Sequence, residues 1–354
     1  MQPQIKDGIR HRMAIRSLDA GSLTTTSSFY RRLYHIFLHL FVLALLIRQL
    51  RSQWKGMTSG PKRRTACVSP SIRVEWSTLT EEEKEAYFAA NLCLLNAPAQ
   101  TSISGVLSRY DDLVSIHAQQ SNFEGGTDLW HVTGQFLAVH RYYLHAFETL
   151  VRNECGYVGR MPYWNEPPDA GAFNESALVS EFGGEGFKEN NYAVVNGPFA
   201  NITLHLGPGM ANTPHLLTRE CNWWNSTRVG QAFVDAVNAR TTFAGFQNLL
   251  FATIHRGGHN AVGGDMTDIQ TAPNDPLFWL HHSYIDYLWW KWQGDNETRI
   301  FDREGAGYET QAEPKTGFVE TSEATVLHMF DVLPNGTVGQ VLDTQGDYLC
   351  YTYI

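Results

Sequence analysis

Apolar and polar positions along this chain recur mainly with helical spacing. The densest case is Asp275 to Trp290, DPLFWLHHSYIDYLWW, where Phe278, His282 and Asp286 fall at i, i+4 and i+8. These three share one stripe of one helix. Pro276 suits the first turn because it has no amide to satisfy, and the Asp275 carboxylate is placed to cap it. His281, beside His282, points about 100° away around the axis. A helix that turns a histidine and a carboxylate inward needs a partner for both.

Other segments follow the same logic. STLTEEE opens a helix capped by Thr80 that runs to about Leu95. A helix over residues 103–119 places His117 near its end, and a longer one over 132–152 turns Phe136, His140 and Leu144 inward. Arg141 and Glu148, seven apart on an adjacent face, are placed to pair behind that stripe. Residues 155–226 are rich in Gly, Pro and Asn with little periodicity, and read as irregular structure. From residue 227 onward, helices lead to His255 and His259, four apart on one face. After Trp292 the chain is turn-rich, with strand-like pieces such as residues 337–342. The expected fold is mainly α: a four-helix core with long irregular loops and a few short strands.

Charge divides the chain. Residues 1–64 hold 12 Lys+Arg against 2 Asp+Glu, a balance of +10, whereas residues 65–354 stand at −19. Such a shift marks a boundary, and it leaves one domain over 65–354, long enough for a single large core. The acidic domain predicts no nucleic-acid partner. Residues 33–47 form an apolar run preceded by Arg31 and Arg32. It is short for a membrane span of about 20 residues and fits a secretory leader. A long basic lead and the lack of a clean cleavage site keep a membrane anchor as the alternative. Five N-x-S/T sequons, at Asn174, Asn201, Asn225, Asn296 and Asn335, fit a secreted glycoprotein. Five cysteines without CxxC spacing fit one or two disulfides in an oxidising compartment, their pairing left open.

The candidate chemistry lies in six histidines in two groups of three: His117, His131 and His140, then His255, His259 and His282. Each group offers neutral imidazoles and no thiolate, a set that suits copper or zinc. His145 lies about 140° from His140 around its helix and is left out, and His205 and His215 read as loop residues. A mononuclear zinc hydrolase lacks its general base here, since HRGGH has no Glu in the HExxH position.

In these residues the chain resembles the type 3 copper proteins: tyrosinases, catechol oxidases and, more distantly, haemocyanins. One signature is His131, then Phe136-Leu137, His140-Arg141, Leu144 and Glu148; the other is Asp275-Pro276, Phe278-Trp279, His282 and Asp286. The likeness extends over about residues 67–354 and is nearest to the short fungal members, with Val139 a departure from their usual aromatic residue. It implies two copper ions, Cu A on His117, His131 and His140 and Cu B on His255, His259 and His282. His281 is the first substitute for His282. O2 would be the co-substrate and a small phenol the substrate. Asp286 would hold a ligand imidazole or anchor its helix, the second being the favoured role, with Arg141 and Glu148 behind the site. Leu129 stands where some members form a thioether, so none is expected there. Arg256 replaces the Asn that favours monophenol hydroxylation, Asn260 follows the second Cu B histidine, and Ile269 aligns with the gate over Cu A. The resemblance therefore favours oxidation of o-diphenols, with o-aminophenols accepted and monophenols hydroxylated weakly. A full tyrosinase and a haemocyanin-like oxygen carrier are the alternatives. With only about 60 residues after the second signature, control by removal of a shielding domain is not expected. Nothing in the sequence fixes the oligomeric state.

Overall fold

The computed structural model describes residues 67–122, 127–346 and 348–354. The basic segment 1–64, with its apolar run 33–47, lies outside them. Among the described residues, no helix is long and apolar enough to cross a membrane.

The first two long helices start at their caps rather than with the hydrophobic period. Helix α1 (Glu81–Asn96) begins at a reciprocal box between Thr80 and Glu83, with three acids in its first turn complementing the helix dipole. Helix α2 (Arg109–Gln120) begins at Arg109, not near residue 103, because Ser108 and Asp111 form a second box. Helix α3 (Phe136–Cys155) begins after a turn that takes up residues 132–135, and ends at Gly156 with φ 67°. Helices α4 (Gln231–Asn238) and α5 (Phe243–Leu250) follow. A π-helical turn, Phe251–His255, joins α5 to α6 (Arg256–Val262). Helix α7 (Leu277–Gly294) carries the DPLFWLHH signature. Pro276 stands just before its first residue, and Asp275 accepts the Leu277 amide at 2.9 Å. Arg219 grips the same carboxylate through two bonds of 2.7 and 2.8 Å, both side chains fully buried.

Three short parallel strands, β1 (Ser71–Glu75), β2 (Met161–Tyr163) and β3 (Tyr351–Tyr353), form a sheet in the order β2-β1-β3. It joins the start of the described chain to its end, and the Cys67–Cys350 disulfide closes the same junction. A second disulfide, Cys93–Cys155, ties α1 to the last residue of α3, leaving Cys221 as a free thiol. The strand-like reading of residues 337–342 is corrected. Thr337 pairs in a two-stranded ribbon, but Val338–Val341 is a helical turn set by a Thr337–Gln340 box.

Helices α3 and α7 pack at the centre of the core. Phe147 stacks on Trp279 at 4.3 Å, and Tyr143 meets the same indole at 4.8 Å. Such pairs add about 0.5–1.5 kcal/mol beyond their area. Between these helices lies a buried ion network. Asp286 takes Arg141 Nε at 2.6 Å, Arg73 Nη1 at 3.3 Å, and the hydroxyls of Tyr351 and Tyr353 at 2.5 and 2.6 Å. Arg141 also lies over the Trp289 ring at 3.6 Å and donates to the carbonyls of Val341 and Leu342. The expected Arg141–Glu148 pair is not made: seven residues of helix separate them by about 10 Å along the axis. Glu148 is instead held by Arg73 at 2.9 Å and Arg152 at 2.9 Å. Among the described residues none of the three hydrogen-bonds a histidine ring nitrogen, so Asp286, Glu148 and Arg141 anchor helices and do not hold an imidazole directly.

Burial alone would raise the pKa of Asp286, but the Arg141 and Arg73 charges and two tyrosine hydroxyls reverse it and hold it below the usual carboxylate value. Glu148 is lowered in the same way, burial being outweighed by Arg73 and Arg152. A depressed folded pKa contributes stability above the unfolded value of about 4, and that stability is lost as pH falls through the folded value. The share of stability held by these two carboxylates is therefore expected to be lost below about pH 4, read as a fall in unfolding free energy. Asp286→Ala leaves the buried Arg141 guanidinium without a carboxylate and takes one of two from Arg73, and should cost about 3–5 kcal/mol by denaturant titration. A loss below about 1 kcal/mol would refute this anchoring role.

Candidate metal centre

Four helices and two turns bring the histidines together. Helix α2 delivers His117 from its last turn, α3 delivers His140 from its second, and the turn before α3 delivers His131. That turn is strained: Val132, at φ 54°, is a β-branched residue in the left-handed region. His255 ends the π-helical turn, His259 lies in α6, and His281 and His282 lie in α7. The expected single α-helical face for His255 and His259 is thus replaced by a π-turn followed by α-helix, a change of register typical of functional sites.

One ring nitrogen from each of His117, His131 and His140 lies within 4.8 Å of the others, and the same holds for His255, His259, His281 and His282. The two groups face each other, with the His140 and His282 rings stacked at 4.5 Å and 9°. Both groups are buried, His259 less completely than the rest.

Hydrogen bonds fix the tautomers of the first group. His117 Nδ1 donates to the Gln270 carbonyl at 2.9 Å and His140 Nδ1 to the Phe136 carbonyl at 2.8 Å, since a carbonyl only accepts. His131 Nδ1 bonds Asp128 Oδ2 at 3.1 Å. Each Nε2 is thereby left as a lone pair directed inward, and those of His117 and His140 are buried with no protein partner. In the second group His259 Nδ1 donates to the Met266 carbonyl at 2.8 Å, so its Nε2 also carries a lone pair. That atom lies 3.1 Å from His282 Nε2. Two imidazole nitrogens so close call for a shared proton or a cation. His255 has neither nitrogen bonded.

Burial drives the pKa values of His117, His140, His255, His259 and His282 well below 6.5, and for each the neighbouring imidazoles push further the same way. The rings are neutral at pH 7, the form that binds metal. A buried acceptor without a donor costs about 1–3 kcal/mol, and this pocket holds several. The residues present therefore fit a pair of metal ions: neutral nitrogen donors, pre-oriented and otherwise unsatisfied.

His281 falls into the second group as well. Its Nδ1 lies 2.5 Å from Glu166 Oε1, both residues fully buried. Burial lowers His281 to about 3 and raises Glu166 well above its usual value, so the two share one proton as a pair without net charge. Gly258 makes room for this ring: a Cβ there would collide with His281 Cε1. Asp128 and Glu166 are functional neighbours that the sequence reading missed. Asp128 had a faint signal, an Asp three residues before a metal-type histidine; Glu166, far off in irregular chain, had none. His145 stacks on Tyr142 outside both groups, while His205 and His215 pair with Asp111 and Asp265 in loops.

A cavity of about 380 Å³ opens above the histidines, lined by His117, His131, His255 and His259 below and by Arg256, Asn260 and Ile269 above. Ile269 is 48% exposed and Val132 62%, so both stand at its mouth.

The chain matches the common central domain of tyrosinase over residues 107–295, a stretch that contains every histidine of both groups. It is 30% identical over 315 residues to the tyrosinase ustQ of Aspergillus flavus, covering 81% of this chain and 80% of that protein. It is 29% identical over 350 residues to the N-acetyl-6-hydroxytryptophan oxidase ivoB of Emericella nidulans, covering 80% and 92%. Among solved structures, a single-site mutant of a polyphenol oxidase from Thermothelomyces thermophila aligns with a TM-score of 0.73 at 28% identity, covering 87% of this chain and 94% of that one.

Proposed function

The chain belongs to the tyrosinase family, dinuclear copper oxidoreductases that use O2 on small phenols, and we propose that it oxidises o-diphenols to o-quinones. On this reading it also accepts o-aminophenols and hydroxylates monophenols weakly. The carrying observation is the pair of facing histidine groups beneath one open cavity. We assign one copper to His117, His131 and His140 and the other to His255, His259 and His282. The close approach of His259 and His282 supports His282 over His281, whose Nδ1 is committed to Glu166.

Bound copper supplies the couple through which a diphenol's two electrons and two protons pass to O2, two diphenols reducing one O2 to two waters. The protein supplies the rest. Gln270, Asp128, Phe136 and Met266 hold four of the imidazoles in their tautomers through Nδ1. Phe251, Met266, Val132 and Ile269 give the cavity apolar walls that suit an aromatic ring. The exposed Ile269 leaves the mouth open, which supports turnover over the blocked site of an oxygen carrier.

Selectivity turns on proton removal. A phenol with pKa near 10 is protonated about a thousandfold at neutral pH, so a monophenol needs a base or a held water beside it. Arg256 has five donors and no acceptor, and cannot orient a water to take that proton. Asn260, also on the cavity wall, has an acceptor but follows the second histidine of its group.

We further propose a secretory route, with residues 1–64 as a leader or anchor and 65–354 as the enzyme. Two disulfides support an oxidising compartment. Four of the sequon asparagines, Asn174, Asn201, Asn296 and Asn335, are exposed, whereas Asn225 is half-buried.

Three outcomes are expected. His282→Ala should lower bound copper from two ions to about one per chain by atomic absorption, while His281→Ala keeps both. The reverse pattern would exchange their roles. Dopamine should be turned over much faster than tyramine, and Arg256→Asn should raise the tyramine rate. Equal wild-type rates, or no gain in the variant, would overturn the selectivity. A chain starting at Thr65 should be soluble and load both coppers. Its precipitation would show that the basic segment belongs to the fold.

A further inference from the structure

We infer that Arg256 selects, among o-diphenols, those whose ring carries a carboxylate on a short side chain. The inference rests on the diphenol reading above and adds the substrate class. Arg256 begins α6 directly after the π-helical turn that ends at His255, so its side chain reaches the cavity wall one residue from a proposed ligand. It is exposed and has no acidic partner among the described residues. Arg73, Arg109, Arg141, Arg152, Arg160, Arg219, Arg299 and Arg303 all have one. Arg228 and Arg240 also lack one, but neither lines the cavity.

The two carboxylates that do line it are already engaged. Asp128 accepts the amides of Trp130 and His131 and pairs with the His131 ring. Asp268 accepts the amides of Gly209, Gln270 and Thr271. The guanidinium is thus the unneutralised charge of a cavity whose remaining walls are largely apolar. Residues 65–354 carry a balance of −19 that repels anions at a distance. That repulsion is screened beyond about 8 Å at physiological ionic strength, whereas a guanidinium in contact acts within that range. Its planar fork matches a carboxylate in two parallel hydrogen bonds, which a lysine does not reproduce. A ring lying between Phe251 and Ile269 with its reacting hydroxyls toward the histidines leaves its substituent at the mouth, where Arg256 stands.

The test compares 3,4-dihydroxyphenylacetate with its neutral methyl ester on the copper-loaded full chain and on its Arg256→Gln and Arg256→Lys variants. The acid-to-ester ratio of kcat/KM should be about 5 to 10 in the wild type, carried by KM. It should fall to about 1 in Arg256→Gln and be partly retained in Arg256→Lys. Calorimetric binding of phenylacetate against methyl phenylacetate, neither of which can be oxidised as a diphenol, should follow the same order. Oxidation of both diphenols at a ratio near 1, or a ratio unchanged in Arg256→Gln, overturns the inference and leaves the diphenol oxidase standing. Failure to oxidise either diphenol, with phenylacetate still bound through Arg256, removes the proposed activity and leaves the anion site.

Discussion

The carboxylate of Asp286, buried between α3 and α7, is the point on which the rest of the structure depends. Two guanidinium groups and two phenol hydroxyls converge on it from three elements, β1, α3 and the sheet's last strand, and tie them to α7. A buried charge without such partners is untenable, so the network forms completely or the helices do not pack. Arg141 follows His140 directly on α3, and Asp286 lies one turn beyond His282 on α7. The ion pair that locks the helices therefore also sets the stacking of His140 on His282, and with it the spacing of the two histidine groups. Glu148 extends the network through Arg73, which carries the constraint to the chain's first strand.

A second constraint runs against stability. Seven imidazoles are gathered in one buried region, and several of their nitrogens have nothing in the protein to bond. The fold offsets part of that cost because the Nδ1 atoms of His117, His131, His140, His259 and His281 are satisfied by carbonyls or carboxylates, whereas those of His255 and His282 have no partner. Binding free energy for copper is then partly the recovery of what burial removed.

Floor and rim of the site obey different rules. The floor is set by helix packing and tolerates little change, as Gly258 illustrates: no side chain fits where the His281 ring lies. The rim is built from exposed residues on loops and helix starts, Val132, Arg256 and Ile269, none of which holds the core together. Selectivity can therefore vary at the rim without disturbing the metal site beneath it.

The sequence by itself determined a good deal. Helical spacing identified the α7 stripe with His282, the Thr80 cap and the His255/His259 pair, because i, i+4 periodicity and capping chemistry are properties of one continuous segment. His117, His131 and His140 joined them through the resemblance to the type 3 copper signatures. It also placed Arg256, Asn260 and Ile269 beside the site through their positions in the signatures. Tertiary structure decided what spacing cannot encode. The Arg141–Glu148 pair looked plausible within one helix and gave way to Asp286 and Arg73, which reach the same place from elsewhere in the chain. Helix α2 began where a Ser108–Asp111 box closed, later than its apolar period implied. The Gln270, Phe136 and Met266 anchors act through backbone carbonyls, which carry no residue-type signal. Glu166 meets His281 across 115 positions of sequence, and the π-turn before Arg256 depends on packing around α5 and α6. Local pattern reports which face a side chain occupies; which atom waits opposite it is settled only when distant segments meet.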